Sequence, residues 1–340
     1  MTADITRDLI SAFPKVELHV HVEACISGSR IESLATEAGV PMLRPVEQLF
    51  EYSTLAEFLE TYEWWCDLLR TPETAEGVAY EAAALLAADG IVYADVLTGP
   101  RYWEHLDDQE LILALGAGFE RAHRDGLTDC RLVPSISREQ SAQWAMELVE
   151  WIGAERPTRV VGLGLDGNEA VLGRTTPKFE EVYARAGEFG LGRTVHAGES
   201  SGPEGVRDVL DYLHVDRIDH GVRAIEDPAL TARLADEGVT LNITPTSNVI
   251  TGLYPDLPSH PVGRFIDAGV PVTVNSDDPL AMNVTLSGEF EAVAGIHGWS
   301  LHDLVAATRR AADAAFCDDI DRAALHALID TFLAEEMESI

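Results

Sequence analysis

The chain has 340 residues, 46% of them hydrophobic and 24% charged, the composition of a soluble globular protein and not of a disordered or collagen-like one. Its 24 Lys and Arg face 58 Asp and Glu, a formal net charge of −34; a body so acidic repels phosphate backbones and anionic lipid, which argues against nucleic acid and membrane surfaces as partners and for small-molecule chemistry. No apolar run reaches the roughly 18 residues of a membrane span, and the opening MTADITRDLI lacks the basic and apolar regions of a secretory signal, so a cytoplasmic location is expected.

No internal repeat, low-complexity tract or Pro/Gly/Ser linker divides the chain, so residues 1–340 are expected to form one domain. The first β-like run is KVELHVHV (15–22). The stretch from 46 to 88 that follows is too long for a simple crossover and predicts extra helices over the mouth of the fold. Within it, LAEFLETYEWW (55–65) sets Leu55, Phe58, Leu59 and Tyr62 on one helical face, a stripe that serves either as ordinary core or as a lid lining a pocket. The helix-like AEGVAYEAAALLAAD (75–89) leads into GIVYADVL (90–97), and DDQELILALGAGFERAHRD (107–125) into LTDCRLVPSI (127–136). TRVVGLGLD (158–166) follows, then a helix over 178–190 and the runs LGRTVHA (191–197) and DRIDHG (216–221). A helix over 227–238 separates these from VTLNITP (239–245) and VPVTVNS (270–276). Strands alternating with helices make βαβ units and a parallel sheet. Eight such strands predict an α/β fold of the closed (β/α)8 TIM barrel type, which typically takes about 250 residues or more. A doubly wound open sheet fits less well, because the first strand runs into HVHVEACIS and not into a glycine-rich phosphate loop.

In such a barrel the catalytic groups come from the C-terminal ends of several strands. The first run ends in His19-Val20-His21, the fifth in His196-Ala197-Gly198-Glu199, the sixth in Asp219-His220-Gly221 and the eighth in Ser276-Asp277-Asp278-Pro279. His19 and His21, two apart on a strand, share a face. With Val16, Leu18, Val20 and Val22 toward the helices, Glu17, His19, His21 and Glu23 point to the barrel axis. Alone, an HxH pair is more often two hydrogen-bonded histidines than a metal site, since catalytic zinc takes three or more protein ligands. His196 and Asp277, arriving from strand ends that meet the pair across the barrel mouth, complete such a set, and imidazole with carboxylate suits zinc.

The two lysines, Lys15 at the start of the first strand and Lys178 opening a helix, are placed neither to bridge two metals nor to form a Schiff base. One Zn2+ per chain is therefore expected. The four cysteines, Cys25, Cys66, Cys130 and Cys317, include no CxxC pair and read as free thiols. A single zinc with an open position activates water near neutral pH. Glu199, three residues past His196, is expected to project over the metal as proton donor, with His220 orienting the water. Asp278 sits where it can hydrogen-bond a substrate, or cap the following helix.

The segments PKVELHVHVE (14–23), GLDGNE (164–169), HAGESSGPEGVRDVL (196–210), RIDHGVRAIEDP (217–228), TPTSNVITG (244–252) and VNSDDPL (274–280) resemble the adenosine deaminase family in order and spacing. The resemblance implies zinc on His19, His21, His196 and Asp277, with Glu199 protonating the ring nitrogen beside the amino-bearing carbon of a purine. It implies that His220 orients or deprotonates the water, that Asp278 bonds the imidazole side of the purine and the Gly167 backbone the pyrimidine side, and that Glu23 lies at the sugar end. The implied reaction is hydrolytic deamination of adenosine or 2′-deoxyadenosine, ahead of adenine, aminodeoxyfutalosine or another modified adenine nucleoside. Hydrolysis of an ester or phosphoester calls for cations that the mouth motifs scarcely supply beyond Arg101 and Arg223. A non-catalytic binding protein on the same fold would be signalled by loss of Glu199 or a ligand, and none is lost. Three departures stand out. Ala24 follows Glu23 where glycine is common, YADVLTGPRYW (93–103) replaces a YxExR pattern, and Gly164 stands where many members have an aspartate buttressing the catalytic histidine. Asp166, two residues on, is expected either to take over that contact with His220 or to read the substrate.

Overall fold

The structure, a computed structural model, describes residues 6–52, 55–175 and 177–338. The β-branched runs form parallel strands: β1 (Lys15–His21), β2 (Ile91–Thr98), β3 (Asp129–Ser137), β4 (Gly162–Asp166), β5 (Gly192–Arg193), β6 (His196–Ala197), β7 (Arg217–His220), β8 (Thr240–Ile243) and β9 (Val272–Val274). They pair in the order β1-β2-β3-β4-β5 and β6-β7-β8-β9. The expected strand over 191–197 is thus two short pieces. Thr194 and Val195 between them continue the ladder but split it between two neighbours, Thr194 N–H to Leu163 at 3.0 Å and Asp219 N–H to the Val195 carbonyl at 2.9 Å. The other seam closes where His21 N–H reaches the Asp277 carbonyl at 2.9 Å and Asp277 N–H the His19 carbonyl at 3.1 Å. The barrel is therefore closed, with β5 and β6 together as its fifth strand. The run expected from 158 becomes β4 only at Gly162, because Arg159 takes a left-handed turn at φ 72 and its carbonyl is held by Leu132 N–H at 2.7 Å.

Period-2 alternation decides the layers. Val16 and Leu18 of β1 pack outward on Leu301, Val305 and Ile329 of the C-terminal helices. Between strands run helices whose ends follow local chemistry. The helix Pro228–Glu237 starts where the Asp227 side chain accepts from Ala229 and Leu230 N–H, and stops at Gly238 in the left-handed region. Among the described residues no helix is long and apolar enough to cross a membrane, and the four cysteines are free.

The insertion after β1 holds the helices Gly28–Ala38, Leu55–Cys66 and Pro72–Ala88, as its length predicts. Phe58, Tyr62 and Trp65 of the second are buried, and Leu59, 41% exposed, lines the cavity at the barrel mouth together with Phe58 and Tyr62. The stripe acts as a lid. The side chain of Leu55 lies outside the described residues. The lid is tied down by Trp65, whose indole N–H donates to the Glu23 carbonyl at 3.2 Å, and by the Tyr62–Tyr102 ring contact at 5.2 Å.

Beneath the mouth, the helix Leu286–His297 carries Glu289, 1% exposed, whose two oxygens accept from Thr246 N–H at 3.2 and 3.3 Å. Burial pushes its carboxyl from 4.5 up to about 7, so the folded state favours the neutral form. That contribution is present below the unfolded value and is lost as pH rises through about 7. Glu289→Gln keeps an acceptor and removes the charge. Thermal unfolding should place its midpoint a few degrees above wild type at pH 8 and at or below it at pH 5; the same difference at both pH values would refute the charged-state penalty.

Candidate active site

A cavity of about 370 Å3 opens at the C-terminal ends of the strands. A larger one, about 920 Å3, lies at their N-terminal ends around Arg193, Arg217 and Thr240; its lining contains no histidine, and the titratable cluster belongs to the smaller cavity. The smaller cavity is built by abrupt strand endings. His220 closes β7 at φ 62 and Asp277 follows β9 at φ 66, both left-handed, a conformation that costs a non-glycine residue about 1 kcal/mol or more and that concentrates at functional sites. In each case the turn brings the side chain over the barrel axis.

There His19, His196, His220 and Asp277 offer ligand atoms within 4.8 Å of one another, a group able to hold a metal ion. His19 Nε2 lies 3.1 Å from Asp277 Oδ1, and His220 Nε2 is 4.0 Å from Asp277 Oδ2. His21 joins from the side, its Nε2 3.2 Å from His196 Nε2 and 3.5 Å from Asp277 Oδ1. Two features fit a cation. His19 Nε2 is buried without a hydrogen-bond partner, which is costly unless something else binds it. The facing Nε2 atoms of His21 and His196, 3.2 Å apart, share one proton or hold a cation between them.

The far sides of the His19 and His196 rings face acceptors, as metal ligands require. His19 Nδ1 is 3.4 Å from the Asn242 carbonyl and 3.7 Å from Asp219. His196 Nδ1 is 3.0 Å from Asp166 Oδ1. Asp219 is in turn fixed by the Thr194 hydroxyl at 2.7 Å and the Asn242 amide at 2.8 Å. Burial opposes a charge on His19, but Asp277 and Asp219 more than offset it and lift its pKa to about 10. On His21 burial wins and lowers the pKa to about 4. For Asp278, burial and then the neighbouring Asp277 charge hold the carboxyl well above the usual range.

Glu199 stands beside this group, its Oε2 3.8 Å from His220 Nε2. With Gly167, Asp166 and Asp278 these two line the cavity, so the structure brings these expected site residues together. Two expectations are corrected. Asp166 does not buttress His220: it ends β4, beside β6, and reaches His196 instead. His220 Nδ1 is held by the Thr244 hydroxyl at 3.0 Å and the Asn248 amide at 3.2 Å, and Asn248 is braced by His260 Nε2 at 3.1 Å. A side chain at position 164 would require Ser135 to move, since a Cβ there would meet Ser135 Oγ at 2.1 Å. Glu23, expected at the substrate's sugar end, does not reach the cavity. It lies in the turn Val22–Cys25 and is 0% exposed, and its Oε1 accepts from the Thr98 hydroxyl, Gly99 N–H and Trp103 indole at 2.8, 3.1 and 2.8 Å. Burial pushes this carboxyl up to about 7. The braces Thr244, Asn248, His260 and Asp219 were not singled out from sequence, although all but His260 lie in quoted motifs; only their tertiary contacts reveal them.

Fold and site together define a barrel hydrolase whose mouth is fit for a metal ion. A profile of the family described as "Adenosine deaminase" matches residues 14–332. The chain is 35% identical over 320 residues to an adenine deaminase of Sinorhizobium medicae, covering 92% of this chain and 98% of that protein. It is 33% identical over 343 residues to an aminodeoxyfutalosine deaminase of Streptomyces avermitilis, covering 98% and 95%. An amidohydrolase of Burkholderia ambifaria solved with bound Zn superposes with a TM-score of 0.85 at 30% identity, over 98% of this chain and 96% of that one. The chain belongs to the adenosine deaminase family, and is a deaminase-type hydrolase.

Groups behind a metal ligand typically set metal affinity by about 10- to 100-fold. Asp166→Ala should therefore weaken zinc binding by that factor in a chelator competition, with the fold intact by circular dichroism. Unchanged zinc affinity would show that the contact with His196 is incidental.

Proposed function

We propose that the chain hydrolytically deaminates adenine, the free 6-aminopurine base, using one zinc ion held by His19, His21, His196 and Asp277. The observation that carries the reaction is Glu199 Oε2 3.8 Å from His220 Nε2, at a buried group in which His19, His196, His220 and Asp277 bring ligand atoms within 4.8 Å of one another and beside which His21 Nε2 lies 3.2 Å from His196 Nε2. The bound metal supplies Lewis-acid activation of water. His220 holds the attacking water against C6 and takes its proton. Glu199 delivers a proton to N1, so that the ring accepts the electron pair displaced from the C6–N1 bond. The water oxygen bonds to C6, and His220 then passes its proton to N6. The C6–N6 bond breaks as the C6 hydroxyl returns a proton to Glu199 and becomes the carbonyl, and ammonia leaves: adenine and water become hypoxanthine and ammonia. Asp278 bonds the imidazole side of the ring and the Gly167 backbone the pyrimidine side.

The base is favoured over adenosine, the first expectation from the motifs, by the fate of Glu23. Its Oε1 is taken by Thr98, Gly99 and Trp103, and the whole side chain is 0% exposed and outside the cavity lining, where the aromatic rings of Phe58, Tyr62 and Tyr102 stand instead. A 5′-phosphate is disfavoured at the rim, where Arg101 is engaged by Glu139 at 3.1 Å and Glu63 at 3.9 Å. The S. medicae relative named for adenine supports the same substrate. The S. avermitilis relative makes aminodeoxyfutalosine the second reading.

Zinc-loaded protein assayed for ammonia release should turn over adenine with a higher kcat/KM than adenosine, aminodeoxyfutalosine or AMP, and metal analysis should find about one zinc per chain. Preference for a nucleoside would overturn the base assignment, and two metals per chain the single-zinc site. Glu199→Gln should keep zinc and lose about 10²- to 10⁴-fold in kcat; near-wild-type turnover would place the proton donor elsewhere.

A further inference from the structure

Behind the pocket, one buried ion pair touches both of its walls. Arg138, just past β3, is 7% exposed, and Glu169, opening the short helix Glu169–Leu172 after β4, is 5% exposed. Their charged groups lie 3.7 Å apart, Nη2 to Oε1. Arg138 Nη1 donates to the Gly167 carbonyl at 2.8 Å, and Nη2 donates to the His196 carbonyl at 2.5 Å and the Thr175 hydroxyl at 3.0 Å. Lys178 in turn donates to the Arg138 carbonyl at 2.9 Å. Glu169 Oε2 accepts from the N–H of Glu199 at 3.3 Å and of Ser201 at 3.2 Å. The carboxylate is closely confined: a Cβ at Gly205 would come within 2.5 Å of Oε1. Gly167 meanwhile holds φ 106, in the region that side chains avoid.

These bonds go to backbone atoms of three groups that must keep one register: the ligand His196, the donor Glu199 and the purine-contacting peptide of Gly167. A buried ion pair is a poor device for stability, since an apolar replacement of similar volume is often neutral or better. Charge-assisted bonds to backbone are strong and directional. We propose that Arg138 and Glu169 are positioning residues, Glu169 setting the loop that carries Glu199, and Arg138 locking the Gly167 peptide and the His196 carbonyl to it. The consequence for turnover rests on the deaminase reading above; the clamp itself rests on the backbone contacts alone.

The test uses the full zinc-loaded chain and two readouts, amide hydrogen exchange over 197–202 and the split between kcat and KM. Glu169→Ala should speed exchange at the Glu199 and Ser201 amides at least about tenfold, with the barrel strands unchanged, because both amides lose their acceptor. A donor misplaced by about 1 Å costs on the order of 10²-fold, so kcat should fall by that order while KM and zinc content stay within about twofold. Glu169→Gln keeps an acceptor oxygen and should restore most of both readouts, which also covers the case in which the alanine variant fails to fold. Arg138→Met should raise KM as well as lower kcat, because it frees Gly167. Unchanged exchange in Glu169→Ala overturns the proposal, as does a kcat loss accompanied by equal zinc loss or not rescued by glutamine. If wild type turns over no 6-aminopurine, the functional reading fails, and the exchange measurement still decides the clamp.

Discussion

The seam at which β9 meets β1 is the contact on which the rest depends. Asp277 donates its N–H to the His19 carbonyl and accepts from His21 N–H, so the residue that closes the barrel is also the one whose carboxylate faces His19 at 3.1 Å. Its left-handed backbone, φ 66, lets one residue continue the ladder and turn its side chain to the axis. Barrel closure and assembly of the ligand group are thus one structural event, and the strain at Asp277 and His220 is held by the ladders on both sides.

Such a group is expensive to bury. Removing imidazoles and carboxylates from water is tolerated only where each polar atom finds a partner. Here Asp219 and the Asn242 carbonyl face His19, the Asp166 carboxylate stands 3.0 Å from His196 Nδ1, and Thr194 and Asn242 hold Asp219. On the inner side His21 Nε2 and His196 Nε2 face each other at 3.2 Å and His19 Nε2 faces the Asp277 carboxylate at 3.1 Å. The burial that keeps His21 neutral, with its pKa lowered to about 4, also keeps it in the protonation state in which imidazole binds a metal.

The reacting end and the selecting end of the pocket are built differently. At the histidine–carboxylate end the groups come from strand ends, locked by backbone ladders. The opposite wall comes from the insertion after β1 and the turn after β2, where Glu23, Trp65, Thr98 and Trp103 are tied to one another. Glu23, two residues past the strand end, is there drawn inward to hold the wall. A small change in these loops can therefore alter the substrate while leaving the chemistry untouched.

The alternation of β-branched runs with amphipathic helices was enough to specify a parallel barrel. Histidines and carboxylates at four strand ends were enough to single out His19, His196, His220 and Asp277, which the fold gathers into one buried group with Glu199 3.8 Å from His220. Both are legible because strand periodicity is local and because barrel topology sends every strand end to the same mouth. The sequence could not show that the fifth strand divides its bonds at Thr194 and Val195, that Asp166 serves His196 and not His220, or that Glu23 is spent on the wall. Nor could it pair Arg138 with Glu169, 31 positions apart in the chain and 3.7 Å apart in space. Which neighbour a carboxylate meets depends on strand stagger and loop packing to within an ångström, and hydrogen bonds and ion pairs are decided at that distance.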